Sequence, residues 1–332
     1  MKSLQGIIVI VFWVLFFRTA SYTQVSDIRV HDPVMVKQEG TYYLFCTGFG
    51  ISVYSSTDLK NWNREKPVFE SPPEWATSAI QGFRGHIWAP DISFHDGLYY
   101  LYYSVSAFGK NTSCIGLATN KTLNPADENY QWTDHGKVVE SVPGRDLWNA
   151  IDPNLVFDEE GGAWMSFGSF WRGMKMFRLN ETLSAPAEPQ EWYTIAARPR
   201  DYYTVDNHPG EAAIEAPFIF KKNKYYYLFV SYDFCCRGVE SNYKIMAGRS
   251  EKVTGPYLDK DGRDMNFGGA TLVLEGNKEW PGVGHNSVYT FDGVDYIVFH
   301  GYHASDNGRS KLIISELLWD EEGWPYVPEG AL

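Results

Sequence analysis

One arrangement recurs five times along these 332 residues and limits what the chain can become. A polar or acidic entrance leads into an apolar run of strand length. A turn interrupts, and a second run rich in aromatics follows. The clearest copy begins at Glu211 and runs Ile214-Glu215-Ala216-Pro217-Phe218-Ile219-Phe220, through the polar Lys221-Lys222-Asn223-Lys224, into Tyr225-Tyr226-Tyr227-Leu228-Phe229-Val230. Asp32-Pro33-Val34-Met35-Val36 reaches Thr41-Tyr42-Tyr43-Leu44-Phe45 through Glu39-Gly40. Trp88-Ala89-Pro90-Asp91-Ile92 reaches Leu98-Tyr99-Tyr100-Leu101 through Asp96-Gly97, and Ile151-Asp152-Pro153-Asn154-Leu155 reaches Ala163-Trp164-Met165 through a loop ending at Gly162. Gly284-His285-Asn286-Ser287-Val288 reaches Asp295-Tyr296-Ile297-Val298 through Asp292-Gly293. Two β-forming runs joined by such turns are hairpins.

Each copy is followed by a third strand candidate, at 51–55, 114–119, 174–179, 245–250 and 311–316. Taking 32, 91, 152, 215 and 285 as the repeating positions gives a near-constant period. Units of this size cannot bury a core alone. They are stable only if they stack, and short strands in five such units predict one all-β domain, a five-bladed β-propeller over 25–332.

That architecture makes distant residues meet. The first strand of every blade lines a central axis, so residues at equivalent positions face one another at one end of it. Asp32, Asp152 and Glu215 are thereby expected in one pocket. Three carboxylates among aromatic side chains suit cleavage of a glycosidic bond, which needs one acid to protonate the leaving oxygen and a carboxylate on the other face. A third acid can raise the pKa of the protonated one. Singly, Asp32-Pro33 and Asp152-Pro153 are equally well read as turn starters. Asp91, shifted behind Pro90, is expected to be structural, and Glu211 is a weaker rival for the acid role. His285 is the counterpart in the fifth unit, where one imidazole with water can hold a cation.

Composition narrows the function classes. The chain carries 22 Tyr and 12 Trp, which suit strands and stacking on sugar rings. A formal net charge of −12 without a basic run excludes nucleic acid as an expected partner. Residues 1–24 join Lys2 to the apolar run Ile7-Ile8-Val9-Ile10-Val11-Phe12-Trp13-Val14-Leu15-Phe16-Phe17 and the small Thr19-Ala20-Ser21. The run is too short to span a bilayer comfortably and is expected to be a secretory leader rather than an uncleaved anchor, giving an extracellular protein (periplasmic in a Gram-negative bacterium) with no membrane attachment after its removal. Cys46, Cys114, Cys235 and Cys236 are too few for a disulfide scaffold and are expected to be buried thiols.

Taken together, His31-Asp32-Pro33, Trp88-Ala89-Pro90-Asp91, Trp148-Asn149-Ala150-Ile151-Asp152-Pro153, Gly168-Ser169-Phe170-Trp171, Ile214-Glu215-Ala216-Pro217 and Gly284-His285-Asn286-Ser287 resemble family 43 glycoside hydrolases. Within that family they look like the endo-1,5-α-L-arabinanases, with 103–113 (Phe108-Gly109 included) and Arg263-Asp264-Met265-Asn266 in support. Each motif alone is weak; their order across residues 30–327 is specific. The resemblance implies hydrolysis of internal α-1,5 bonds of arabinan and arabino-oligosaccharides with inversion, by a monomer. It makes Asp32 the general base, Glu215 the general acid and Asp152 the acid that tunes it. It implies sugar contacts at His31, Trp88, Phe108, Gly109, Asn149, Ser169, Phe170 and Trp171, and a calcium or similar cation held through water at His285. Three other readings compete: an exo-acting arabinanase, arabinofuranosidase or xylosidase; a non-catalytic sugar-binding propeller; and a repeat scaffold.

Overall fold

The computed structural model describes residues 22–332, and the bulk of the expected leader lies outside them. The chain forms a five-bladed β-propeller. The first strands of the blades are Val34–Gln38, His86–His95, Asn154–Phe157, Ile214–Lys222 and Val283–Phe291, and they neighbour one another in a closed ring. Each pairs antiparallel with the aromatic strand that follows it, namely Thr41–Cys46, Leu98–Val105, Ala163–Phe167, Tyr225–Tyr232 and Val294–His303. In blades one, two and five the hairpin turns at Glu39-Gly40, Asp96-Gly97 and Asp292-Gly293, and both residues of each pair have positive φ. This is the two-residue turn whose twist matches the strands it joins.

The third strands fall where the sequence predicts them: Ser52–Ser56, Ser113–Asn120, Met174–Arg178, Lys244–Ser250 and Arg309–Glu316. Fourth strands Asn63–Arg64, Thr133–Ser141, Trp192–Ala196 and Thr271–Glu275 complete blades one to four. Blade five takes its fourth strand from the other end of the sequence. Thr23–Arg29 pairs antiparallel with Arg309–Glu316, Thr23 opposite Ser315 and Ser26 opposite Leu312. The strand thus starts within the 1–24 span expected as a leader, and Thr23 and Gln24 are paired in the sheet.

The core is divided as the stacking argument requires. There are five apolar clusters among the described residues, one between each pair of neighbouring blades. Phe45, Leu101 and Tyr103 lie in the cluster of blades one and two; Leu44, Val298 and Leu312 close the ring between blades one and five. Alternate residues of one strand therefore feed different interfaces, as a period of two demands.

Backbone conformation corrects the expected repeat. One residue in each blade entrance is left-handed: Asp32 (φ 56°), Ala89 (φ 37°), Asp152 (φ 58°), Ala216 (φ 57°) and His285 (φ 51°). The first four precede proline. Equivalence therefore runs through 32, 89, 152, 216 and 285, so Asp91 sits two residues too late and Glu215 one too early. Asp91 is buried and accepts hydrogen bonds from Leu155 N–H (2.8 Å) and Asn154 Nδ2 (3.3 Å), tying blade two to blade three.

A side chain of the preceding blade captures the N–H of each left-handed residue. Thr47 takes Ala89, Ser104 takes Asp152, Ser231 takes His285 and the Nδ1 of His300 takes Asp32, at 2.8–3.1 Å. These four residues stand at one matching place, on the second strand or one residue past its end. Blade three has Gly168 there, whose N–H bonds to Ile151 O. With no side chain available, the Asp152 carboxylate itself takes Ala216 N–H at 3.1 Å.

The cysteines depart from expectation. All four are free, but only Cys46 and Cys114 are buried; Cys235 is half-buried and Cys236 exposed.

Candidate active site

The five entrances open into one cleft of about 1020 Å³. Asp32, Asp152 and Glu215 line it, as do His31, Trp88, Phe108, Gly109, Asn149, Ser169, Phe170, Trp171 and His285. The ring of blades thus brings every expected site residue to one place. Their surroundings differ. Phe108 lines the cleft and is 80 % exposed, whereas Trp171 is 2 % exposed and donates its indole N–H to Asp206 O. Trp171 secures the 198–210 loop more than it offers stacking surface. Ser169 donates to Glu215 Oε2 at 2.7 Å, so its hydroxyl is committed to the acid. Asn149 is buried and accepts from the Ser113 hydroxyl at 2.6 Å.

Asp32 is gripped from several sides. His31 Nδ1 lies 2.7 Å and His285 Nδ1 3.0 Å from its Oδ1, and the Thr47 hydroxyl donates to Oδ2 at 2.5 Å. Burial opposes ionisation, but the His285 and His31 charges and hydrogen bonds outweigh it and hold the carboxyl well below its usual range. His285 responds in kind. Burial pushes it down, the charges of Asp32 and Asp152 push it up, and it settles at about 9. His300 is different: its Nδ1 accepts Asp32 N–H, and burial keeps the ring neutral, well below the usual imidazole pKa.

Glu215 and Asp152 sit in the opposite regime. Burial raises Glu215, against hydrogen bonds from Tyr243 OH to Oε1 (2.7 Å) and from Ser169. Burial also raises Asp152, reinforced by the charges of Glu215 and Asp32 and opposed by His285. The pair therefore retains a proton well above the ordinary carboxylate range. Because Glu215 precedes the left-handed residue, its backbone differs from that of Asp32 and Asp152. Asp152 accepts the N–H of the very next residue, Ala216, so it positions Glu215, whose charge in turn raises Asp152.

Tyr243, Thr47 and His300 escape sequence reasoning, since none belongs to an entrance motif. The signal for Tyr243 lies in Gly284, where a Cβ would come within 2.2 Å of the Tyr243 ring. Cys235 and Cys236 also line the cleft, and Cys236 Sγ lies 3.7 Å from His31 Nε2. Hydrogen bonding from the Cys235 thiol, then from His31, outweighs partial desolvation and brings the Cys236 thiol down to about 5. Around His285, one imidazole nitrogen is spent on Asp32. The remaining nitrogen alone fits only a cation that keeps most of its water.

A family model described as glycosyl hydrolases family 43 matches residues 24–325. The chain belongs to this family. It is 58% identical, over 92% of its length and 88% of the relative's, to the extracellular exo-α-(1→5)-L-arabinofuranosidase ArbA of Cellvibrio japonicus. It is 42% identical to the extracellular endo-α-(1→5)-L-arabinanase 1 of Bacillus subtilis, over 92% of this chain and 90% of that one. A solved structure of the Cellvibrio cellulosa α-L-arabinanase in complex with arabinohexaose superposes with a TM-score of 0.90 at 57% identity, covering 92% of this chain and 96% of that one. This member of family 43 is thus a glycoside hydrolase of the arabinanase and arabinofuranosidase group.

Proposed function

We propose that the chain is a secreted enzyme that hydrolyses α-1,5-linked arabinan with inversion, using Glu215 as general acid and Asp32 as general base. The observation that carries this reading is the divergence of two carboxyl environments in one cleft. Asp32 is held ionised by two imidazoles, while burial favours a proton on Glu215. Two acids whose surroundings push their pKa values apart are suited to opposite proton-transfer tasks. Glu215 donates its proton to the departing arabinose oxygen. Asp32 takes a proton from water as that water attacks the anomeric carbon from the opposite face. Thr47, His31 and His285 keep the Asp32 carboxylate oriented, and Asp152 fixes the backbone at Ala216. His285 would hold a calcium through water, and the ion would supply positive charge near the acids.

The expected internal cleavage meets a competing reading. The relative named as exo-acting is 58% identical and the one named as endo-acting 42%, which favours release from chain ends. Products from linear arabinan over time separate the two: a spread of oligomers means internal cleavage, one short product means exo action. Inversion is read by NMR on the first product. The β anomer must appear before mutarotation, and an α anomer appearing first overturns the mechanism.

A further inference from the structure

Two thiols in the cleft have no part in that chemistry. Cys235 and Cys236 follow the second strand of blade four, at the rim beside blade one. Cys236 is left-handed (φ 64°), and its N–H donates to Tyr302 OH at 2.8 Å, which fixes the turn that presents both sulfurs. Tyr302 OH is in turn 2.7 Å from His31 Nε2. The two sulfurs and one ring nitrogen of His31 lie within 4.8 Å of one another.

We propose that Cys235, Cys236 and His31 form a site for a thiophilic divalent cation of the zinc class, and that its occupation shuts off hydrolysis reversibly. Two sulfurs and an imidazole are the donors that zinc and cadmium take in tetrahedral sites, with a fourth position open to water. Bond lengths of that class place neighbouring donors roughly 3.7 Å apart, so side-chain rotation alone closes the triad. The other ring nitrogen of His31 already faces a carboxylate, Asp32 Oδ1, at 2.7 Å. A ligating imidazole characteristically has such a partner, which orients the ring and strengthens it as a ligand. Here that carboxylate is the proposed general base. Binding forms two sulfur–metal bonds and one nitrogen–metal bond, breaks the His31 Nε2–Tyr302 OH hydrogen bond, and releases to solvent the protons still held on the sulfurs and on that nitrogen; no electron moves. The bound cation lies in the sugar cleft and draws charge from Asp32 through His31. Calcium, which prefers oxygen, is not a ligand for this triad.

The inhibition rests on the proposed role of Asp32, whereas binding does not, so the test reads them separately. Reduced full-length protein is titrated with Cd²⁺. One equivalent is expected to produce thiolate-to-metal absorption, absent in Cys235→Ser and Cys236→Ser. Zinc is expected to inhibit arabinan hydrolysis in parallel, with recovery on chelation and at least about ten-fold weaker inhibition of either variant. If a variant fails to fold, alkylation of the unaltered protein decides. Zinc should protect Cys235 and Cys236 from iodoacetamide, with buried Cys46 and Cys114 as unreactive internal controls. No thiolate absorption, or alkylation unchanged by zinc, overturns the site. Cadmium binding without zinc inhibition overturns the shut-off and leaves the hydrolytic reading intact.

Discussion

At the scale of single residues, the cleft separates two kinds of carboxyl group by what surrounds them. Asp32→Asn and Glu215→Gln are each expected to lower kcat by ~10²–10⁴-fold, the usual worth of general acid–base help. Near-normal turnover in either would remove that residue from its role. The pH profile follows from the directions of the shifts. Asp32 must be ionised, and its pKa is depressed, so the acidic limb of kcat/KM lies below the ordinary carboxylate range. Glu215 must be protonated, and its pKa is raised, so activity falls as pH climbs through that value. Tyr243→Phe removes a donor that stabilises the Glu215 anion, and should move the basic limb upward. Asp152→Ala removes the acceptor of Ala216 N–H beside Glu215 and should lower kcat. A basic limb unmoved in Tyr243→Phe, or full turnover in Asp152→Ala, would refute this account of the pair.

At the scale of strands, the repeated left-handed residue explains both the strain and its relief. Such a backbone costs of order 1–3 kcal/mol at each position. A hydroxyl or ring nitrogen from the preceding blade offsets part of it by satisfying the N–H. Ser231→Ala leaves the N–H of His285 without a partner in a buried setting, and should destabilise the fold by about 1–3 kcal/mol in denaturant unfolding. Ser104→Ala should cost a similar amount and also slow the reaction, because the freed residue is Asp152. Equal stability for Ser231→Ala and the unaltered protein would show that these contacts do not hold the entrances. The fourth strand of blade five is the other telling element. Deleting 22–29 leaves the Arg309–Glu316 edge unpaired. The expected result is a larger loss in Tm than from either serine variant, with aggregation on heating.

At the scale of the whole molecule, five apolar interfaces hold the ring. That closure carries Asp32 and His285, from opposite ends of the chain, into one cleft. The hairpins, their turns and all five third strands were legible in the sequence, because period-two apolar runs and Asp-Gly or Glu-Gly turns are local signals. The closing strand was not, since Thr23–Arg29 has few strongly apolar residues and gains its place from pairing with the far end of the chain. Three acids and their aromatic surroundings were legible as motifs. The helpers Tyr243, Thr47 and His300 were not, because each comes from a different segment of the chain than the group it serves.

The sequence by itself determined the number of blades, the class of fold and which carboxylates were candidates, since these follow from patterns repeated along the chain. Only the tertiary structure decided the register of the repeat. It put Ala89 and Ala216, not Asp91 and Glu215, in line with Asp32 and Asp152. The physical reason is that equivalence in a closed ring is set by backbone conformation and by contacts from the blade before, and neither is written in the spacing of acids. The fold also sets Asp32 between His31 and the distant His285 and buries Glu215 beside Asp152, so two similar side chains have pKa shifts of opposite sign.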